Sequence, residues 1–306
     1  MKKLLFLGLY APTNGVAQNP PPKPRQERQA DEQKQVYEAL KRLNYNFHST
    51  CDVEHLIECK DEYDLVWSLY DKHKIREFVP SFCRLFCIEY IGSTPSMRTL
   101  ATDKNLQKQF AVELNIDTAK WITAFGQNAL SQEAPFPGPY FVKPRFGAVA
   151  ADIDASCICE TWGDVVSKAA NYFASDNDVI IESFIEGEEY SVAVIDAIDK
   201  CPIVSAPIDR NNNICTNEYL TKQLQYMAKQ YFIAMQSCDY VSVSFIVAGE
   251  SGIPYFLGVN DMMGFNADYG VVPALLKGNF QTYDDIVRHI VNLGINKLSE
   301  ALQTKE

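Results

Sequence analysis

No apolar stretch in this 306-residue chain reaches the ~18 residues that a helix needs to cross a bilayer, which excludes a helical membrane protein. Basic residues are in deficit. The 28 Lys and Arg face 39 Asp and Glu, and the net charge of -11 repels phosphate polymers, so nucleic acid is excluded as a partner. A single nucleotide stays open, because a few lysines and backbone N–H groups can hold one triphosphate in an acidic protein. Histidine is scarce, and no histidine pair lies near Cys157 and Cys159, whose one-residue gap is not that of common zinc sites. No structural zinc is expected. The nine cysteines are odd in number and lack framework spacing, which points to reduced thiols and a cytoplasmic location. Internal repeats are absent as well.

What is present fits a globular protein, with 47% hydrophobic and 22% charged residues. Single cores stop growing near ~250–300 residues, so two or three lobes are expected. Met1, Lys2 and Lys3 followed by an apolar run imitate a signal peptide. The thiol count and the want of a spanning run favour a buried strand over residues 4–10 instead. Val36, Ala39, Leu40 and Leu43 then recur at helical spacing, residues 63–69 read as a strand, Ile75, Phe78, Val79, Phe82 and Leu85 as a helix, and residues 88–91 as a strand. Alternating strand and helix implies a parallel sheet with helices on its faces. Between the first strand and helix, residues 11–28 carry Pro12, Pro20, Pro21, Pro22 and Pro24 and read as an exposed polyproline loop.

Further on, Met97, Leu100, Leu106, Phe110 and Leu114 fit a helix or two with Ser96 as cap. Residues 140–144 form a strand stopped by proline, 146–151 a turn, 162–173 an amphipathic helix, and 179–185 and 190–198 strands with a turn at Gly187. A helix over 220–235, a hairpin from strands 240–247 and 254–259, and a closing helix over 283–302 complete the reading.

Six stretches in order resemble the D-alanine–D-alanine ligases of the ATP-grasp superfamily. They are Ile88-Glu89-Tyr90-Ile91-Gly92-Ser93, Thr102-Asp103-Lys104, Phe141-Val142-Lys143-Pro144, residues 179–192 with the Glu188-Glu189-Tyr190 motif, Val259-Asn260-Asp261-Met262-Met263-Gly264-Phe265, and Val271-Val272-Pro273. The resemblance implies an α/β protein, an ATP-grasp fold behind an N-terminal parallel-sheet (Rossmann-like) domain. Lobes are implied at 1–92, 93–184 and 185–306, with ATP held between the second and third. It further implies that Lys104 and Lys143 meet ATP phosphates as point charges. The segment around Glu182, Phe184 and Ile185 offers its backbone edge and apolar faces to adenine, and Glu189 accepts the ribose hydroxyls. Mg2+, an amino-acid or peptide substrate and a homodimer through the N-terminal lobe are implied too.

The family's metal carboxylates are not there. Their positions read Ser244 and Gly258, and of the usual three only Asn260 survives as a metal ligand. Ser242 replaces an arginine that stabilises developing negative charge, and a weakly aligned stretch puts Glu218 at a lysine. Residues 145–151 keep small side chains for a phosphate loop but no hydroxyl. Asp261, next to Asn260, is the nearest replacement carboxylate, although on a strand it points the other way. Pro12-Thr13-Asn14-Gly15 stands where the family holds the first amino acid's ammonium with a glutamate, so a substrate other than D-alanine is expected. No residue is assigned a catalytic role. Two readings stay open: an ADP-forming carboxylate–amine ligase of altered substrate, and a catalytically impaired relative that binds a nucleotide or a partner.

Overall fold

The computed structural model describes residues 3–8, 24–69, 76–126, 130, 133–147, 155–198, 201–236 and 238–303, the side chains of 24–28, 301 and 302 excepted, and is an α/β protein. Its first strand, β1 (Leu4–Leu7), is buried along its whole length. Such a strand needs parallel neighbours on both sides. It has them in β2 (Phe47–Thr50) and β3 (Leu65–Ser68), and β4 (Glu89–Ile91) adds parallel to β3, giving the order β2-β1-β3-β4. Helices α1 (Pro24–Arg42), α2 (Val53–Glu58) and α3 (Phe78–Leu85) connect these strands. Val36, Ala39 and Leu40 are fully buried, as their spacing predicts. The proline stretch needs a correction: α1 begins at Pro24, a first helical position where a missing N–H costs nothing. Residues 9–23 and Ile75 lie outside the described residues. No apolar alternation marks β2, and α2 is announced only by Asp52, whose carboxylate caps it by accepting from the Glu54 N–H at 2.9 Å.

The chain divides into two compact units. One comprises Met1–Arg98, Ser191–Ser242 and Asp261–Glu306, the other Thr99–Tyr190 and Val243–Asn260. Helix α4 (Pro95–Thr102) runs from the first unit into the second, which continues with α5 (Lys104–Glu113) and an antiparallel sheet in the order β5 (Trp121–Ala124), β8 (Val179–Ser183), β6 (Tyr140–Pro144), β7 (Ile158–Cys159). Ser96 lies inside the first turn of α4 rather than capping it. Helix α6 (Trp162–Phe173) packs Val165 and Ala169 against Val142, Val179 and Ile181, so one face of this sheet is apolar. Its start is fixed by a capping box in which the Thr161 hydroxyl accepts from the Asp164 N–H and the Asp164 carboxylate accepts from the Thr161 N–H.

The remaining elements are β9 (Gly187–Ile195), β10 (Ile203–Val204), β11 (Ile208–Asp209), α7 (Glu218–Met235), β12 (Tyr240–Ala248), β13 (Pro254–Asn260), α8 (Val272–Gly278) and α9 (Tyr283–Gln303). A five-stranded sheet runs β10-β9-β12-β13, with β11 on β9. Gly187 opens β9 rather than forming a turn, because its backbone packs on the Val247 carbonyl so closely that no Cβ fits. The expected hairpin closes between β12 and β13 through Ala248 N–H to Ile253 O, 3.0 Å. The motif at Val271 to Pro273 belongs to α8, with proline in its first turn, and α9 buries Ile286, Ile290 and Leu293. All nine cysteines are free thiols. Among the described residues no helix is long and apolar enough to cross a membrane.

Candidate functional site

Strand alternation builds the site. Trp121 and Phe141 both stand opposite Glu182 in register, and Thr123 and Lys143 both stand opposite Ile180. Side chains two apart share a face, so these six residues line the side of the sheet opposite the one against α6. That face carries charge where the other carries aliphatics. Lys143 Nζ lies 2.8 Å from Glu182 Oε2, with both side chains at most 5% exposed.

A third charge completes the set, and no sequence motif pointed to it. Lys108 on α5 places its Nζ 2.9 Å from Glu182 Oε1, donates to the Thr118 hydroxyl at 2.7 Å, and stands 5.7 Å from the Trp121 ring centre. Thr118 in turn donates to the Phe256 carbonyl at 2.9 Å, which ties the chain of polar groups to β13. Burial by itself raises the Glu182 carboxyl, but the ammonium groups of Lys108 and Lys143 outweigh it and hold the pKa down at about 2. Burial pulls the Lys108 ammonium below its ordinary value, and Lys143 adds to that while Glu182 opposes it.

Lys104 opens α5 beside this set. Its Nζ donates to the carbonyls of Pro144 at 2.9 Å and Gly147 at 2.6 Å, clasping the chain just past Lys143. Asp103 caps the same helix through the Asn105 and Leu106 N–H groups and takes a two-pronged ion pair from Arg145, at 2.9 and 2.6 Å. The strand that carries Lys143 is therefore stitched to the helix start that carries Lys104. The rest of the small-residue loop, 148–151, lies outside the described residues.

Past β8 the chain runs through Phe184 and Ile185, both half-buried. The Phe184 N–H donates to Pro139 O at 2.9 Å, and its ring stacks on Phe141 with centres 6.4 Å apart. Glu189 is half-buried on β9, beside Tyr190, whose hydroxyl donates to Glu188 at 2.6 Å. Asn260 ends β13, also half-buried. The structure thus gathers Lys104, Lys143, Glu182 and Phe184 about one sheet, while Glu189 and Asn260 stand on other strands.

The positions flanking Asn260 are filled in a specific way. The Gln107 amide donates to Ala101 O at 2.6 Å and accepts from the Val259 N–H at 3.0 Å, and a Cβ built on Gly258 would sit 3.1 Å from Gln107 Oε1. Asp261 is committed elsewhere: its Oδ2 lies 3.1 Å from Arg98 Nε, and both side chains are 1% exposed. No cluster of three or more His, Cys, Asp or Glu suited to a metal ion occurs among the described residues.

No family model matches the chain. Sequence relatives do. D-alanine–D-alanine ligase B of Clostridium perfringens is 28% identical over 236 residues, 72% of this chain and 76% of that protein. A D-alanine–D-alanine ligase of Clostridium botulinum is 26% identical over 232 residues, 70% of this chain and 75% of its own length. The D-alanine–D-alanine ligase of Bacillus anthracis, crystallised in complex with ATP, shares the fold with a TM-score of 0.78 at 19% identity, covering 98% of this chain and 99% of that one. The chain is thus similar to D-alanine–D-alanine ligases over 72% of its length and shares their ATP-grasp fold.

For an ATP-grasp protein the missed residues are instructive. Leu106, Phe110 and Leu114 mark the period of α5, yet Gln107, Lys108 and Ala111 are the buried ones and Leu106 is 37% exposed. The signal for Lys108 was its place one turn after Lys104, on the same helix face. A separate cavity of about 480 Å³ in the other unit is lined by Glu89, Asp196, Asp239 and Lys297 among others, and contains none of the residues expected to hold ATP or a metal.

Proposed function

We propose that this chain binds ATP at the charged face of its β5-β8-β6-β7 sheet and acts as an ATP-dependent carboxylate–amine ligase on an amino acid or peptide other than D-alanine. The observation that carries the reading is the buried Lys143–Glu182 pair with Lys104 clasped beside it. Lys143 and Lys104 would hold phosphate oxygens, the backbone from Glu182 to Ile185 the adenine edge with Phe184 against its face, and Glu189 the ribose. ATP supplies a phosphoryl group that makes a carboxylate reactive towards an amine. The nine free thiols support a cytoplasmic location, and family kinship supports a homodimer.

Magnesium fits poorly. Ser244, Gly258 and Asn260 offer a hydroxyl and an amide where a hard cation takes carboxylates, and Gln107 fills the approach to position 258. No step is assigned to the metal. The same observation, with Asp261 paired to Arg98, favours a second reading in which the chain binds nucleotide without efficient turnover.

The deciding experiment measures ADP release across an amino-acid panel beside a nucleotide titration with and without magnesium. The ligase reading expects release that depends on added amino acid and collapses in Lys143→Ala. Binding without turnover transfers the conclusion to the second reading, and no binding under either condition ends both.

A further inference from the structure

The Lys108, Glu182 and Lys143 set holds three charges where two would cancel, and every member is at most 5% exposed. Water disperses little of the surplus cation at that depth. Glu182 gives one oxygen to each lysine, at 2.9 and 2.8 Å. The lysines differ in what else holds them. Lys108 is fixed from behind by Thr118, itself anchored on the Phe256 carbonyl, and by the Trp121 ring. Lys143 stands on the sheet face, 5.5 Å from the Phe141 ring centre, one residue from the Pro144 carbonyl that Lys104 clasps.

We propose that Lys108 is a positioning residue for the nucleotide: by neutralising Glu182 from inside the protein, it leaves the net positive charge of the buried set on Lys143, where the phosphates bind. The inference rests on the ATP site proposed above. Without Lys108, Lys143 and Glu182 would cancel each other, and the face would lose its pull on an anion while keeping its shape for a base. With both Lys108 and Glu182 neutral, Lys143 would recover that pull. A purely structural role for Lys108 predicts no such recovery.

The test titrates ATP and adenosine into wild type, Lys108→Met, Glu182→Gln and the double variant, and reads the ratio of the two affinities. Lys108→Met is expected to weaken ATP about tenfold while adenosine changes by no more than about twofold. The double variant should return the ratio to near the wild-type value, and Lys108→Arg should hold it throughout. An equal loss for both ligands, or a double variant no better than Lys108→Met, overturns the proposal. Should Lys108→Met fail to fold, the comparison moves to Glu182→Gln, whose ratio must exceed that of the double variant, and equal ratios overturn it. Wild type binding neither ligand defeats the ATP site itself, whereas wild type binding ATP with an unchanged Lys108→Met ratio defeats only the role of Lys108.

Discussion

Two buried charge sets differ in one respect. In one unit Arg98 meets Asp261 through Nη1 to Oδ1 at 3.3 Å and Nε to Oδ2 at 3.1 Å, and donates from Nη2 to the Tyr90 hydroxyl at 3.1 Å. Its charges balance. In the other unit Glu182 is outnumbered by two lysines. Desolvation works against both arrangements, so a set left unbalanced is maintained at a cost that a balanced pair avoids. On the ATP site proposed above, the difference separates a tie that holds a fold from a set whose surplus cation would meet an anion.

The largest test of that contrast removes a partner from the balanced pair. Asp261→Ala strands a guanidinium in the core and is expected to cost about 3–5 kcal/mol by urea denaturation, most of which a further Arg98→Met should restore. An unrecovered loss would make Arg98 more than a counter-ion. Next is acid. The ionised form of Glu182 is favoured in the folded state, with its pKa lowered from 4.5 to about 2, so its contribution is present above the ordinary carboxylate range and disappears as pH falls through that interval. Unfolding free energy should drop there by a few kcal/mol, on the order of 1.4 per pKa unit, and Glu182→Gln should flatten this slope; a slope unchanged by that substitution breaks the comparison. The smallest effect belongs to a neutral group. Gln107→Ala, which frees the Ala101 carbonyl and the Val259 N–H, should cost about 1–3 kcal/mol with little dependence on salt, since no ion is involved.

Much of the fold was legible because periodicity reports burial. The run at Leu4 reads as a strand covered on both faces, and residues 162–173 read as an amphipathic helix, since those patterns leave few alternatives. Phe47 to Thr50 gives no such signal: it is a short strand of half-buried and exposed residues, held by pairing with β1 rather than by its own pattern. At the site, Lys143 and Glu182 were legible as motif residues, but their mutual ion pair depends on strand register, which neither segment encodes alone. Lys108 was hidden for a related reason. A lysine among leucines on a helix reads as solvated, and only the carboxylate of a distant strand makes it a core residue. Asp261 was weighed as a substitute metal carboxylate, and Arg98, remote in sequence, is what claims it.

The closeness of Gln107 to Gly258 sets an order on any attempt to rebuild the family's cation-binding residues in this chain. A glutamate introduced first at position 258 must push aside an amide already bonded to two backbone groups, so that single change is expected to lower stability and gain no function. Shortening position 107 beforehand opens the room. The two routes to the same double replacement are therefore unequal: one begins by crowding the amide, the other by freeing the Ala101 carbonyl and the Val259 N–H, and only the second leaves the later glutamate uncrowded.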